Sequence, residues 1–228
     1  MKPHEDNMAA PTAAPLHMAS LHTAPLHTAS LHAAPAIATA GAALPWLPPG
    51  RIVELTGRFD SSCTTMAVAA IARAQTDGET TAWLQAEDGP LFPPDLQQGG
   101  VDLDALLVVH VPARSGPHGI PRAAELLLQS GAFGLLVLDL RPHTPPRGAW
   151  LARLLSGARQ HRSRVLLLTE NATESLGSLV SLRVQPRRRR RDLAFAIDPH
   201  VLTDKLHGQG RTATQDLATT SLHAPEGL

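Results

Sequence analysis

GRIVELTGRFDSSCTTMAVAAIARAQTDGETTAWLQAED, from Gly50 to Asp88, decides the fold. RIVELTG (Arg51 to Gly57) is short, apolar and bounded by glycines, the pattern of a buried strand. TTMAVAAIARAQTDG (Thr64 to Gly78) is an Ala-rich helix with a glycine stop, and TTAWLQA (Thr80 to Ala86) is a second strand. Strand, loop, helix and strand in that order predict a parallel pair joined by a helical crossover.

The same alternation continues on the C-terminal side. ALLVVHV (Ala105 to Val111) reads as a strand and PRAAELLLQSG (Pro121 to Gly131) as a helix. FGLLVLDL (Phe133 to Leu140) is the most apolar strand. A helix is expected from about Arg147 to Gln160, then the strand RVLLLT (Arg164 to Thr169). Uninterrupted apolar strands between helices indicate a mainly parallel sheet covered on both faces, an α/β fold. SLVSLRVQP (Ser178 to Pro186) and DLAFAI (Asp192 to Ile197) have no helix between them and predict a hairpin at the sheet's edge.

Outside this core the pattern is lost. Residues 1–43 carry a pentapeptide repeat, LHMAS, LHTAP, LHTAS and LHAAP, from Leu16 to Pro35. A period of five fits neither strand nor helix, and regular prolines remove backbone donors, so the segment is expected to be a disordered tail. Its histidines, His17, His22, His27 and His32, lack the order that would gather them into a metal cage. Residues 200–228 are again polar and aperiodic. The expected organisation is a tail over 1–43, a core domain over 44–199 and a flexible tail over 200–228.

Composition bounds the function. Of 228 residues, 43% are hydrophobic and 18% charged, with no apolar run near the ~18 residues of a membrane span. A cytoplasmic protein, free to associate with the nucleoid, is expected. One cysteine, Cys63, rules out an internal disulfide framework and a cysteine-rich zinc module. Aromatics are 3% with no Tyr, which disfavours a base-stacking nucleic-acid module.

In a parallel sheet the ligand crevice lies at the carboxyl ends of the strands. The loop leaving the first strand, Gly57 to Thr65, has the frame of a phosphate-binding loop: a glycine, a short loop, a lysine position and two hydroxyl residues opening a helix. Ser62 stands where a second glycine would let backbone N–H groups point at phosphate. Cys63 stands where lysine would meet it. Loss of that charge costs about 4 kcal/mol at 4 Å and an effective dielectric near 20. Thr64 keeps the hydroxyl that would hold magnesium. Asp139 ends the apolar strand as a metal-orienting acid does, and Glu87 ends the second strand where a carboxylate could activate water. Gly57, Ser61, Ser62, Cys63, Thr64, Thr65, Glu87 and Asp139 therefore make up a vestigial nucleotide site. No catalytic residue, metal ligand or cofactor is assigned, and ATP with magnesium would be needed only if the altered loop still worked. Cys63 has no paired histidine that would make it a nucleophile.

Arg187 to Arg191 form five consecutive arginines in a chain with 18 Arg and 2 Lys. They are expected at the turn of the terminal hairpin, with Arg183 on the strand leading in. The run is either a solvated turn or an electrostatic patch for DNA phosphate or an acidic partner.

The stretch from Gly50 to Asp88, followed by GVDLDALLVV and FGLLVLDL, resembles the core of the RecA family from its first strand through the P-loop to the glutamate-bearing second strand. The resemblance covers about residues 44–197. Ser62 and Cys63 depart from the P-loop Gly and Lys. The segments Arg141 to Gly148 and Glu170 to Gly177 are short where the family carries its DNA-binding loops, and no N-terminal polymerisation domain is evident. Such a reduced core resembles the branch containing ImuA and the division inhibitor SulA. Resemblance to ImuA implies a non-enzymatic accessory of damage-induced translesion synthesis, a mutasome component in the SOS response. It would bind RecA, an ImuB-like inactive polymerase subunit and DNA, and act indirectly with an error-prone replicative-type polymerase. Two alternatives stay open: a SulA-like cell-division inhibitor, and a nucleotide-dependent recombinase or ATPase.

Overall fold

Seven strands form one sheet in the order β3-β2-β4-β5-β1-β6-β7 in a computed structural model that describes residues 44–206 apart from 59–61, 142, 147–148, 172–173 and 192–193. The predicted tail over 1–43 and the C-terminal part of the predicted tail, 207–228, lie outside the described residues.

The strands are β1 (Ile52–Thr56), β2 (Thr81–Ala86), β3 (Leu106–Val111), β4 (Leu135–Asp139), β5 (Arg164–Thr169), β6 (Leu182–Arg191) and β7 (Ala194–Asp204). All pairings from β3 across to β6 are parallel, and only β6 and β7 run antiparallel. This is the expected α/β sheet with a C-terminal edge hairpin. The crossovers run through α1 (Cys63–Thr76), the short α2 (Pro93–Gln98) between β2 and β3, α3 (Gly119–Ser130) and α4 (Trp150–His161), and β5 passes to β6 through 3-10 turns over Glu174–Leu179.

The central strands are buried on both faces, which explains their lack of polar alternation. Val53 and Leu55 of β1, Val137 of β4 and Leu166 and Leu168 of β5 pack with Met66, Ala67, Ala70 and Ile71 of α1. On the other face Ile52, Leu136, Leu138, Val165 and Leu167 pack with Ala124 and Leu128 of α3 and Leu151, Leu154 and Ala158 of α4. The two helices of this second face are also tied by Arg153, whose guanidinium donates to Glu125 at 3.0 Å. Burial of one large aliphatic side chain contributes about 1.5–3 kcal/mol, so these two layers supply the principal stabilisation.

Charges inside the sheet are paired. Glu54, fully buried in the middle of β1, lies opposite Arg183 of β6 in the parallel register. Its carboxylate accepts from Arg183 Nε at 2.5 Å and from the Thr169 hydroxyl of β5 at 2.7 Å. Arg164, at the start of β5, donates to the Leu47 carbonyl at 2.9 Å and to the Glu79 carboxylate, joining three segments at the amino ends of the strands.

Three expectations are corrected. The arginine run is not the turn of the hairpin. Arg187 to Arg191 are the second half of β6, in register with Asp198 to Ala194 of β7. The expected strand start at Ser178 falls in 3-10 turns over Glu174–Leu179, broken at Gly177 with φ 55°, so β6 starts only at Leu182. The core also ends later than residue 199. β7 runs to Asp204, the Lys205 N–H bonds the Ser181 carbonyl at 2.8 Å, and Leu206 packs against the α1 side of the sheet. A run of like charges carries no apolar alternation, so its strand conformation comes from pairing with β7 and not from local preference.

Candidate functional site

β1, β4 and α1 converge at the carboxyl ends of the strands, where the sequence places the altered phosphate loop. The loop is anchored by the Gly57 N–H, which donates to the Thr169 carbonyl at 2.8 Å. Ser61 lies outside the described residues. Ser62 is the N-cap of α1, with φ −76° and no side-chain capping bond. Its carbonyl accepts from Met66, so it begins the helix as an ordinary first residue.

Cys63 is fully buried and belongs to the hydrophobic layer between α1 and the sheet. Its place in the helix thus serves packing. Thr64 and Thr65 are partly buried in the first turn of α1.

Asp139 ends β4 and is almost wholly buried, and its two oxygens face the guanidinium of Arg141. Arg141, two residues on, donates from Nε to Oδ1 at 2.9 Å and from Nη2 to Oδ2 at 2.7 Å, a two-pronged contact. The Arg141 N–H also donates to Oδ1, at 3.1 Å. The same Nη2 then reaches Thr64 and donates to its hydroxyl oxygen at 3.1 Å. The Arg141 and Asp139 side chains are 1% and 3% exposed.

This arrangement does not fit a magnesium ion. The metal requires oxygen ligands at 2.0–2.1 Å in near-octahedral geometry. The two protein groups that would supply them, the Asp139 carboxylate and the Thr64 hydroxyl, are both turned to the Arg141 guanidinium. Ser62 stands in place of the second glycine, and Cys63 lies in the core. Glu87, the remaining member of the predicted set, is exposed beyond the end of β2, where its N–H bonds the Val111 carbonyl at 3.0 Å. It faces solvent two residues past the β2 position in line with Asp139.

The structure divides the predicted arginine site in two. Arg183 belongs to the buried pair with Glu54. Arg187, Arg188 and Arg189 are exposed on the strand; the side chains of Arg190 and Arg191 lie outside what is described. Sequence reading assigned no role to Arg141. Its signal was the spacing: an arginine two residues after the acid that ends a buried strand stands on that acid's side of the chain.

Comparison with known proteins gives a consistent relationship. The RecA N-terminal domain family matches residues 20–149. The RecA protein of Mycolicibacterium vanbaalenii is 41% identical over 101 residues, which cover 44% of this chain and 28% of that protein. RecA of Rhodococcus jostii matches to the same extent. RecA of Acinetobacter baumannii is 42% identical over 96 residues, 41% of this chain and 26% of that protein. The matched stretch is thus little more than a quarter of the length of these relatives.

Proposed function

Because the chain belongs to the RecA N-terminal domain family, we propose that it is a RecA-like accessory protein of damage-induced translesion synthesis that works by binding and not by turning over ATP. Its partners in this reading are RecA, an ImuB-like polymerase relative and DNA, in the manner of ImuA. The observation that carries the proposal is the Arg141 guanidinium between Asp139 and Thr64. A protein that uses ATP to switch its assembly must exchange a cation with its nucleotide, whereas a cation covalently part of β4's following loop is always present. Cys63 adds to this, since a buried thiol supplies no charge to a β- or γ-phosphate. The short segments 140–149 and 170–177, next to that site, leave little chain for DNA-binding loops, so contact with partners falls to the sheet edges and the arginine strand.

The test is binding of the purified chain to purified RecA and to an ImuB-like subunit, by surface plasmon resonance, with no nucleotide, with ADP and with ATP. The expected result is saturable binding whose Kd changes less than about twofold (~0.4 kcal/mol) among the three conditions. Absence of binding to both partners, or binding that appears only with ATP, contradicts the proposal.

A further inference from the structure

We infer that the β6–β7 hairpin is a ribbon that enters a groove of duplex nucleic acid, with phosphates on both sides of it. The inference deepens the proposal that this chain contacts DNA, and rests on that reading for its biological setting.

β6 pairs with β1 only from Leu182 to Val184. From Gln185 to Arg191 its strand partner is β7 alone among the described residues. Seven residues at about 3.3 Å each carry the ribbon some 23 Å past the end of the β1 ladder. The ladder with β1 ends near Leu55, just before the altered phosphate loop, so the ribbon extends at the same end of the sheet as the nucleotide-site remnant.

The ribbon begins as part of the core and ends as a charged element. Val184 and Pro186 are buried, and Ile197 and Val201 of β7 pack against the α1 layer. Arg187, Arg188, which lies opposite Ile197, and Arg189 are all exposed. Successive side chains of a strand point to opposite faces, so Arg187 and Arg189 share one face and Arg188 takes the other. On the first face Arg187 Nη2 donates to Gln185 at 3.0 Å, and Arg189 pairs with Asp198 at 3.2 Å. That pair is 66% and 54% exposed, so it is weak and is readily exchanged for a stronger anion.

A ribbon basic on both faces is poorly matched to a flat acidic protein surface, which could meet only one face. A groove between two phosphate backbones meets both. The major groove, about 12 Å wide, admits a two-stranded β-ribbon, and guanidinium groups match phosphate geometry in two-pronged contacts. Contacts of this kind position the protein and carry no base sequence.

The experiment is fluorescence anisotropy with a labelled duplex, its single strand and polyglutamate, at several salt concentrations. The proteins are the full chain, Arg188→Ser, the double variant Arg187→Ser/Arg189→Ser, and the variant with serine at all five positions 187–191. Both face variants are expected to weaken duplex binding, and to lower the slope of log K against log salt by about 1 and about 2. The five-fold variant should lose duplex binding while its melting temperature stays near that of the full chain. Dependence on one face only overturns the inference, as does binding to single strand or polyglutamate as tight as to duplex. RecA binding by the unsubstituted full chain, measured beside its duplex binding, separates the two readings. RecA binding with no preference for duplex over single strand or polyglutamate overturns only the groove, and duplex binding without RecA binding overturns only the accessory role.

Discussion

Replacement of Arg141 by alanine is expected to destabilise the protein by about 3–5 kcal/mol, the cost of breaking a buried ion pair by removing one partner. Asp139, with its side chain 3% exposed, would not keep all three of the hydrogen bonds that Arg141 gives it. One of those, from the backbone N–H, survives the substitution, so the loss should lie toward the lower end of the range. Taking both charges out together has a different consequence. Asp139→Leu with Arg141→Met leaves no buried charge unpaired, and should cost less than about 1 kcal/mol or even stabilise, as hydrophobic replacements of buried pairs often do. Urea unfolding measures both. With a slope of about 1–3 kcal/mol per molar, the single variant should shift the midpoint by 1 M or more. A single variant as stable as the parent would mean that the pair is not formed.

Glu54→Ala should have a comparable effect, about 3–5 kcal/mol, for the mirror-image reason. It removes the anion that the Arg183 guanidinium, only 13% exposed, pairs with, and the Thr169 hydroxyl loses its acceptor. Glu54→Gln keeps an acceptor for both donors and should lose less, because the hydrogen bonds persist without the charge. Three adjacent strands, β5, β1 and β6, meet at this one carboxylate, so the damage should spread to the attachment of the hairpin. The pair also separates Arg183 from the arginines that follow it. Arg183→Ser should lower the midpoint of unfolding, whereas Arg187→Ser, on the exposed ribbon, should leave it in place. Thermal melts of the four variants decide the matter, and equal stability of Glu54→Ala and the parent would contradict the buried network.

What the sequence shows and what it hides follow from how each feature arises. Strands β1, β4 and β5 are legible because burial on both faces requires apolar residues at every position, as in LLVLD and RVLLLT. The stop of α3 is legible because Gly131 adopts φ 67°, a left-handed conformation that favours glycine. The arginine strand is not legible, since its conformation is imposed by β7 and a charge run resembles a turn. The role of Arg183 is hidden by distance: Glu54 lies 129 positions earlier in the chain. A single acid within the apolar IVELT is nonetheless a signal, because a buried charge demands a partner somewhere. At the candidate site, the departures at Ser62 and Cys63 are visible in the sequence alone. Arg141 is different, because its meaning depends on bringing the end of β4 beside the first turn of α1, 77 residues away in the chain.

The Arg141 guanidinium lies between Asp139 and Thr64, the two groups that a nucleotide's metal would need, and on that ground the protein is proposed to act without ATP. The most direct test is a calorimetric titration of the full chain with ATP and magnesium up to millimolar concentration, with phosphate release followed in the same samples. The account predicts no saturable heat and no turnover above the no-protein rate. Saturable magnesium-dependent binding, with turnover proportional to protein concentration and lost on Thr64→Val, would contradict it.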